Sequence, residues 1–325
     1  MRAPAFDDSP LMNDQLRLIC ESEGVFLRRE AIQAGYSDKA IAVQRRSGQW
    51  HRIRHGIYCF SDIWTALTPE EQHLTHARGI LRVTPGKVML SHTTALLAHG
   101  IAVWGMPLDR IHLTRIAGGP ARLERDVVHH VGSTRPAERL MVNGLPVIAP
   151  ARAVLESAAR SNTEAGLVAA DSALHLGKCT REELEETYRS MLYWPDTNKL
   201  HLLMYMADAL ADSAGESRMR HAFWRQGLPK PVLQYPVRDE TGRLIAILDF
   251  AWPEHRLWAE FDGRLKYGRL LRPGETAGDA VFREKRREDR VRELLNWRCA
   301  RVTWDELDRP IELGIRMRRL MGFAA

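Results

Sequence analysis

The stretch LDFAWPEHRLWAEFDG, residues 248–263, decides how the C-terminal part of this chain is read. It holds two apolar strand-like runs around Pro253-Glu254-His255-Arg256, yet it carries Asp249, Glu260 and Asp262. Runs this hydrophobic normally keep charge out of their interiors. A hairpin centred on Glu254-His255 sets Asp249 directly opposite Glu260, with Asp262 two residues further along the same face. Opposed side chains lie about 5 Å apart at Cβ, where like charges repel unless a cation lies between them or one carboxyl is protonated. A divalent ion such as Mg²⁺ answers that repulsion, because it takes one or two carboxylates together with water and phosphate oxygens.

Upstream, VLQYPVR predicts another strand, joined to RLIAILDFAW by the turn residues Asp239-Glu240-Thr241-Gly242. Before it, GESRMRHAFWRQG predicts a helix. Glu216 shares a helical face with Met219 and Phe223, which turns it inward toward the sheet. The competing reading is a first-turn acid favoured by the helix dipole. Downstream come a basic helix, a closing strand and a final helix.

The 325 residues suffice for two or three domains with buried cores, and 45% hydrophobic with 27% charged residues is a globular composition. No apolar run approaches the roughly 20 residues that span a bilayer. MRAPAFDDSPLMNDQ lacks a basic start and an apolar core, so no secretory signal is expected. Cys20, Cys59, Cys179 and Cys299 form no CxxC pair, which argues against a cysteine zinc site and for a reducing, cytoplasmic compartment. The net charge of +6 is modest, so its placement matters more. Arg28, Arg29, Lys39, Arg45, Arg46, Arg52 and Arg54 face only Glu30 and Asp38 over residues 28–54. Between Arg264 and Arg301 twelve Lys/Arg stand against six acids. Two basic blocks predict two nucleic-acid contacts, or else two solvated helix faces.

The N-terminal segment predicts three helices and a β-ribbon. Asn13 or Asp14 starts a helix that runs to about Glu23, and a second covers about Leu27 to Ala34. Ser37 caps a third, with Ile41 inward and Arg45 and Arg46 outward. WHRIRHGIYCF gives two short strands about Arg54-His55-Gly56. That order is a winged helix-turn-helix: the third helix enters the major groove, and Arg52, Arg54 and His55 of the wing meet phosphate. Between about 70 and 190 the chain predicts a helix at SHTTALLAHG, strands at DRIHLTR and DVVHHVG, and an Ala-rich helix after Pro150. His129 and His130 are neighbours on a strand and point to opposite faces, so they cannot share one metal. His92 reads as part of a helix N-terminus. This region offers no chemistry, and an adaptor or partner-binding role is expected for it.

A helix acid, an Asp in one strand, a Glu in the next and a nearby base together resemble the PD-(D/E)xK nuclease fold. DFAWPEHRLWAEFDGRLKYG and EKRREDRVRELLNWRCARVTWDEL are similar to very-short-patch-repair-type endonuclease domains. The resemblance implies Mg²⁺ or Mn²⁺ on Asp249, Glu260 and Asp262, with Glu216, Asp249, Glu260 and Lys266 catalytic. It also implies a DNA grip by Lys285, Arg286, Arg287 and Arg290. The sequence departs from the usual motif where Asp262 stands in place of the Lys, leaving Lys266 or Lys285 to act on the phosphate. GVFLRREAIQAGYSDKAIAVQRRSGQWHRIRHGIYCF with SHTTALLAHGI resembles AbiEi-family type IV antitoxins. That resemblance implies promoter binding through Arg28, Arg29, Lys39, Arg45, Arg46, Arg52, Arg54 and His55, and a nucleotidyltransferase-like toxin as partner.

The fold class expected is therefore α/β (α+β multidomain). Residues 1–68 form a winged helix, 69–195 an AbiEi-like middle domain and 196–325 a restriction-endonuclease-like domain. Three functions stay open: a double-stranded-DNA-binding repressor, a metal-dependent DNA endonuclease targeted by the winged helix, and an interaction module whose acids form a structural salt-bridge cluster.

Overall fold

The computed structural model describes residues 10–263 and 276–323. The chain is α+β and divides into two compact units, Met1–Arg160 and Ser161–Ala325.

In the first unit, helix α1 (Pro10–Glu23) leads into a short strand β1 (Phe26–Leu27) and helices α2 (Arg28–Gln33) and α3 (Asp38–Arg46). Strands β2 (Trp50–Arg54) and β3 (Ile57–Phe60) follow, and the three strands form a sheet in the order β1-β3-β2. Ser37 caps α3 by accepting the Ala40 N–H at 3.2 Å. Gly56 makes the β2–β3 turn at φ 77°, where a side chain would be strained. Leu16, Cys20, Phe26, Tyr36, Ile41, Trp50, Tyr58 and Phe60 form the buried core. The Phe26 and Trp50 rings meet edge-on, 4.7 Å between centroids. Phe26 and Leu27 pair with Tyr58 and Ile57, so the second helix starts one residue later than the local pattern predicts. Sheet pairing from beyond the local segment overrides helical propensity there.

After α4 (Ser61–Ala66) and α5 (Pro69–Val83) comes a six-stranded sheet, ordered β6-β7-β5-β4-β9-β8. Its strands are β4 (Val88–Leu90), β5 (Ile111–Arg115), β6 (Arg122–Leu123), β7 (Val127–Val131), β8 (Arg139–Val142) and β9 (Leu145–Ile148). Helix α6 (His92–His99) follows β4 and ends at Gly100, and α7 (Pro150–Arg160) follows β9.

The second unit opens with α8 (Thr163–His175), α9 (Arg181–Ser190), α10 (Leu200–Met206) and α11 (Ala214–Arg225). A four-stranded sheet follows: β10 (Val232–Arg238), β11 (Leu244–Trp252), β12 (Leu257–Phe261) and β13 (Arg298–Val302), in that order. The first three strands are antiparallel neighbours. β13 returns parallel to β12 after the basic helix α12 (Ala277–Leu295). Helices α13 (Trp304–Leu307) and α14 (Pro310–Met321) close the unit. Helix α8 packs with α11 through buried ion pairs: Arg218 to Glu164 at 2.8 Å and Arg220 to Asp171 at 2.7 Å. These pairs tie α8 to α11 within the second unit.

The sheet buries both faces, and its strands change sides part-way. Ala246 and Leu248 pack with Val237, Trp258 and Val291 of α12. Phe250 and Trp252 pack instead with Met219, Phe223, Leu257, Ala259 and Phe261. The β10–β11 ladder passes over Gln234, at φ 48°, and Asp249 opposite it. Asp249 is therefore at the residue where the apolar alternation breaks.

Candidate functional site

Helix α3 and the β2–β3 turn carry the basic residues of the winged helix. Ile41 is buried, anchoring α3, while Arg45 is half-buried and Lys39 and Arg46 are exposed. Arg52 and His55 of the wing are exposed. Among the described residues, none of Lys39, Arg45, Arg46 and Arg52 has an ionic partner. Other predicted contacts are already occupied. Arg54 forms an ion pair with Glu124 and reaches Asp126 at 2.9 Å, both in the turn just before β7. Arg28 takes Asp38 at 2.6 Å, and Arg29 donates to the Arg82 carbonyl at 3.5 Å. The sequence alone does not show the Arg54 clamp, because its partners lie some 70 residues further along the chain.

The C-terminal acids occupy the register expected of them. The pairs Trp252↔Leu257, Ala251↔Trp258 and Phe250↔Ala259, continued by one residue, set Asp249 against Glu260. There the ladder ends, and the Phe261 N–H donates to the Asp249 carboxylate at 2.9 Å. Glu260, buried on β12, accepts from Arg287 of α12 at 2.6 Å. Asp262 is half-buried, and its N–H donates to the Val302 carbonyl at 2.8 Å. Glu216 is 2% exposed, so it does point inward. Its carboxylate accepts from the Asp212 N–H at 2.9 Å, the Ser213 hydroxyl at 2.8 Å and the Gln234 amide at 3.4 Å. It closes the first turn of α11, so the inward and helix-terminal readings both describe it. Lys285 and Arg286 are exposed, and Arg290 pairs with Glu293 at 2.9 Å. Lys266 lies outside the described residues.

As a Mg²⁺ or Mn²⁺ cage this donor set fits poorly. Glu260 is neutralised by Arg287, and Glu216 is committed to its helix terminus. Among the described residues these acids do not bring three ligand atoms together.

Three histidines do. His92 at the start of α6, His112 on β5 and His130 on β7 have ligand nitrogens all within 4.8 Å of one another. Strands β5 and β7 are parallel neighbours with Thr114 beside His130, which puts His112 and His130 on one face, two residues apart in register. His112 Nδ1 and His130 Nε2 are 2.9 Å apart, and the His92 and His130 rings stack at 3.7 Å between centroids. Burial lowers all three pKa values: His92 well below the ordinary value, His112 to about 4 and His130 to about 3. Burial thus favours the neutral form of all three rings. His129 points the other way, 3.5 Å from Glu124, as strand alternation requires. Residues 70–190, expected to offer no chemistry, bring these three rings together. The usable signal was the shared parity of His112 and His130, which needs the knowledge that β5 and β7 adjoin.

The architecture of residues 10–60, three helices with a small sheet whose hairpin forms a wing, defines a winged helix-turn-helix. Residues 14–61 match the family model described as a transcriptional regulator, AbiEi antitoxin, and residues 70–198 match the AbiEi antitoxin C-terminal domain. Residues 14–198 thus carry two AbiEi antitoxin domains, which support a DNA-binding, antitoxin-like role. Two Mycobacterium tuberculosis proteins are similar over most of their length: Uncharacterized protein MT2308 of strain CDC 1551 / Oshkosh and Uncharacterized protein Rv2248 of strain ATCC 25618 / H37Rv. Each is 28% identical over 281 residues, covering 86% of this chain and 95% of its own. The crystal structure of the RV2827C protein from Mycobacterium tuberculosis aligns over 65% of this chain and 80% of that one, at 16% identity and a TM-score of 0.40.

Proposed function

We propose that this chain is an antitoxin-type transcriptional repressor that binds double-stranded DNA of its own promoter through α3 and the wing. The carrying observation is that Lys39, Arg45, Arg46 and Arg52 face outward or part-way outward with no ionic partner among the described residues. Cations left uncommitted by the fold can take phosphate oxygens and release counterions. Its cognate partner in this reading is a nucleotidyltransferase-like toxin. The test is a mobility-shift titration of the full chain on a duplex from its own upstream region. Arg45→Ala/Arg46→Ala should lose binding while staying folded by circular dichroism. Equal binding of a scrambled duplex at low salt, unchanged in the variant, would overturn the reading.

A second reading, a metal-dependent DNA endonuclease, is favoured by the Asp249–Glu260 register and the resemblance stated above. Against it stands Arg287, which occupies Glu260 and favours a structural role for the acids. Cleavage of supercoiled, linear and mismatched DNA with Mg²⁺ or Mn²⁺, abolished by Asp249→Ala, would establish the endonuclease. No cleavage by the wild type leaves the acids structural.

A further inference from the structure

The promoter binding proposed above does not use the histidine triad. We propose that His92, His112 and His130 bind a borderline divalent transition-metal ion, typified by Zn²⁺, with Glu156 as the carboxylate that orients His92. The donor type selects the ion: imidazole nitrogens suit Zn²⁺, Co²⁺, Ni²⁺ or Cu²⁺, whereas Mg²⁺ and Ca²⁺ take oxygens.

Spacing agrees with this. Zn–N bonds of about 2.0–2.1 Å in a tetrahedron place ligand nitrogens roughly 3.3 Å apart. The ligand atoms here lie within 4.8 Å of one another and the His112–His130 pair at 2.9 Å, close to that spacing, and the rings, now stacked, turn their nitrogens toward a common point when the ion binds. The N–H now shared by that pair moves to the other nitrogen of its ring, a tautomer change without change of charge.

The surroundings give a second, independent observation. Glu156 of α7 is buried, and its Oε1 accepts from Arg152 at 2.8 Å. Its Oε2 has no regular hydrogen bond and lies 3.4 Å from His92 Nδ1. A carboxylate on the far nitrogen of a histidine is the usual outer partner of a metal ligand, and it leaves Nε2 for the ion. His92 also holds a left-handed backbone, φ 49°, at the first residue of α6. Such conformations persist where the surroundings over-determine them, often at ligand sites. Three protein ligands leave a fourth position for water or an anion. Arg160, whose positive charge bears on all three rings, favours the anion.

The test uses the full chain, stripped with EDTA and titrated with Co²⁺. One equivalent should give the visible absorption of a four-coordinate site, and Zn²⁺ should abolish it. His112→Asn and His130→Asn, checked for folding by circular dichroism, should each weaken Co²⁺ binding by about 100-fold, and Glu156→Gln by about 10- to 100-fold. His129→Asn should bind as the wild type does. If the His variants fail to fold, the wild-type spectrum and a Zn²⁺-dependent rise in Tm decide alone. No uptake of Co²⁺ or Zn²⁺ at millimolar concentration would overturn the proposal, as would equal loss in His129→Asn. The triad would then be core packing only.

Discussion

The salt dependence of DNA binding separates the uncommitted cations from the committed ones. Each phosphate neutralised by Lys or Arg contributes about −0.9 to the slope of log K against log salt. Lys39, Arg45, Arg46 and Arg52 together give a slope of about −3.6, or roughly 150-fold weaker binding between 50 and 200 mM salt. Arg45→Ala/Arg46→Ala removes two of the four, leaving a slope of about −1.8 and only a roughly 12-fold loss over the same range. Arg54→Ala should leave the slope unchanged, because Glu124 and Asp126 already neutralise that guanidinium. Fluorescence anisotropy on a labelled promoter duplex, at four or five salt concentrations, reads all three slopes. If Arg54→Ala flattens the slope as much as Arg46→Ala, the clamp does not hold in the complex and the reasoning fails.

Other consequences are open to equally direct measurement. Asp171 is fully buried, and burial raises its pKa to about 6 despite Arg220. A carboxyl whose folded pKa lies above the unfolded value loses stability as pH rises through that window, here from about 4 to about 6. Arg220→Met should raise the folded pKa further and cost about 3–5 kcal/mol at pH 8, with a smaller deficit at pH 5. Urea unfolding at the two pH values measures this, and equal deficits would contradict it. Gly215→Ala puts a Cβ into the Phe261 ring, and a loss of about 1–3 kcal/mol in thermal unfolding is expected. Ser37→Ala removes the cap of α3 for about 1 kcal/mol, and Ser37→Asp should restore it in the same denaturation assay.

Local chemistry was legible in the sequence wherever a few neighbouring residues decide the outcome. Ser37 capping α3, Gly56 turning the wing, Asp239 to Gly242 turning between β10 and β11, and the Asp249–Glu260 register all follow from short-range rules. What escaped depends on partners far along the chain. Phe26 and Leu27 become a strand only because Ile57 and Tyr58 lie beside them. Arg54 reads as a phosphate contact until β7 brings Glu124 and Asp126 to it. Period-two alternation correctly separates His129 from His130, but cannot supply His112 from a neighbouring strand or His92 from a helix.

The Arg54 clamp has a practical side. Glu124 and Asp126 hold that guanidinium as phosphates would, so they act as built-in competitors for one cation of the wing. A fragment cut after residue 68 would shed those competitors and keep every base. Such a fragment should bind any duplex more tightly than the whole chain does, with a salt slope steeper by about one charge. Affinities measured on the excised winged helix would therefore describe a more avid and less discriminating protein than the one encoded.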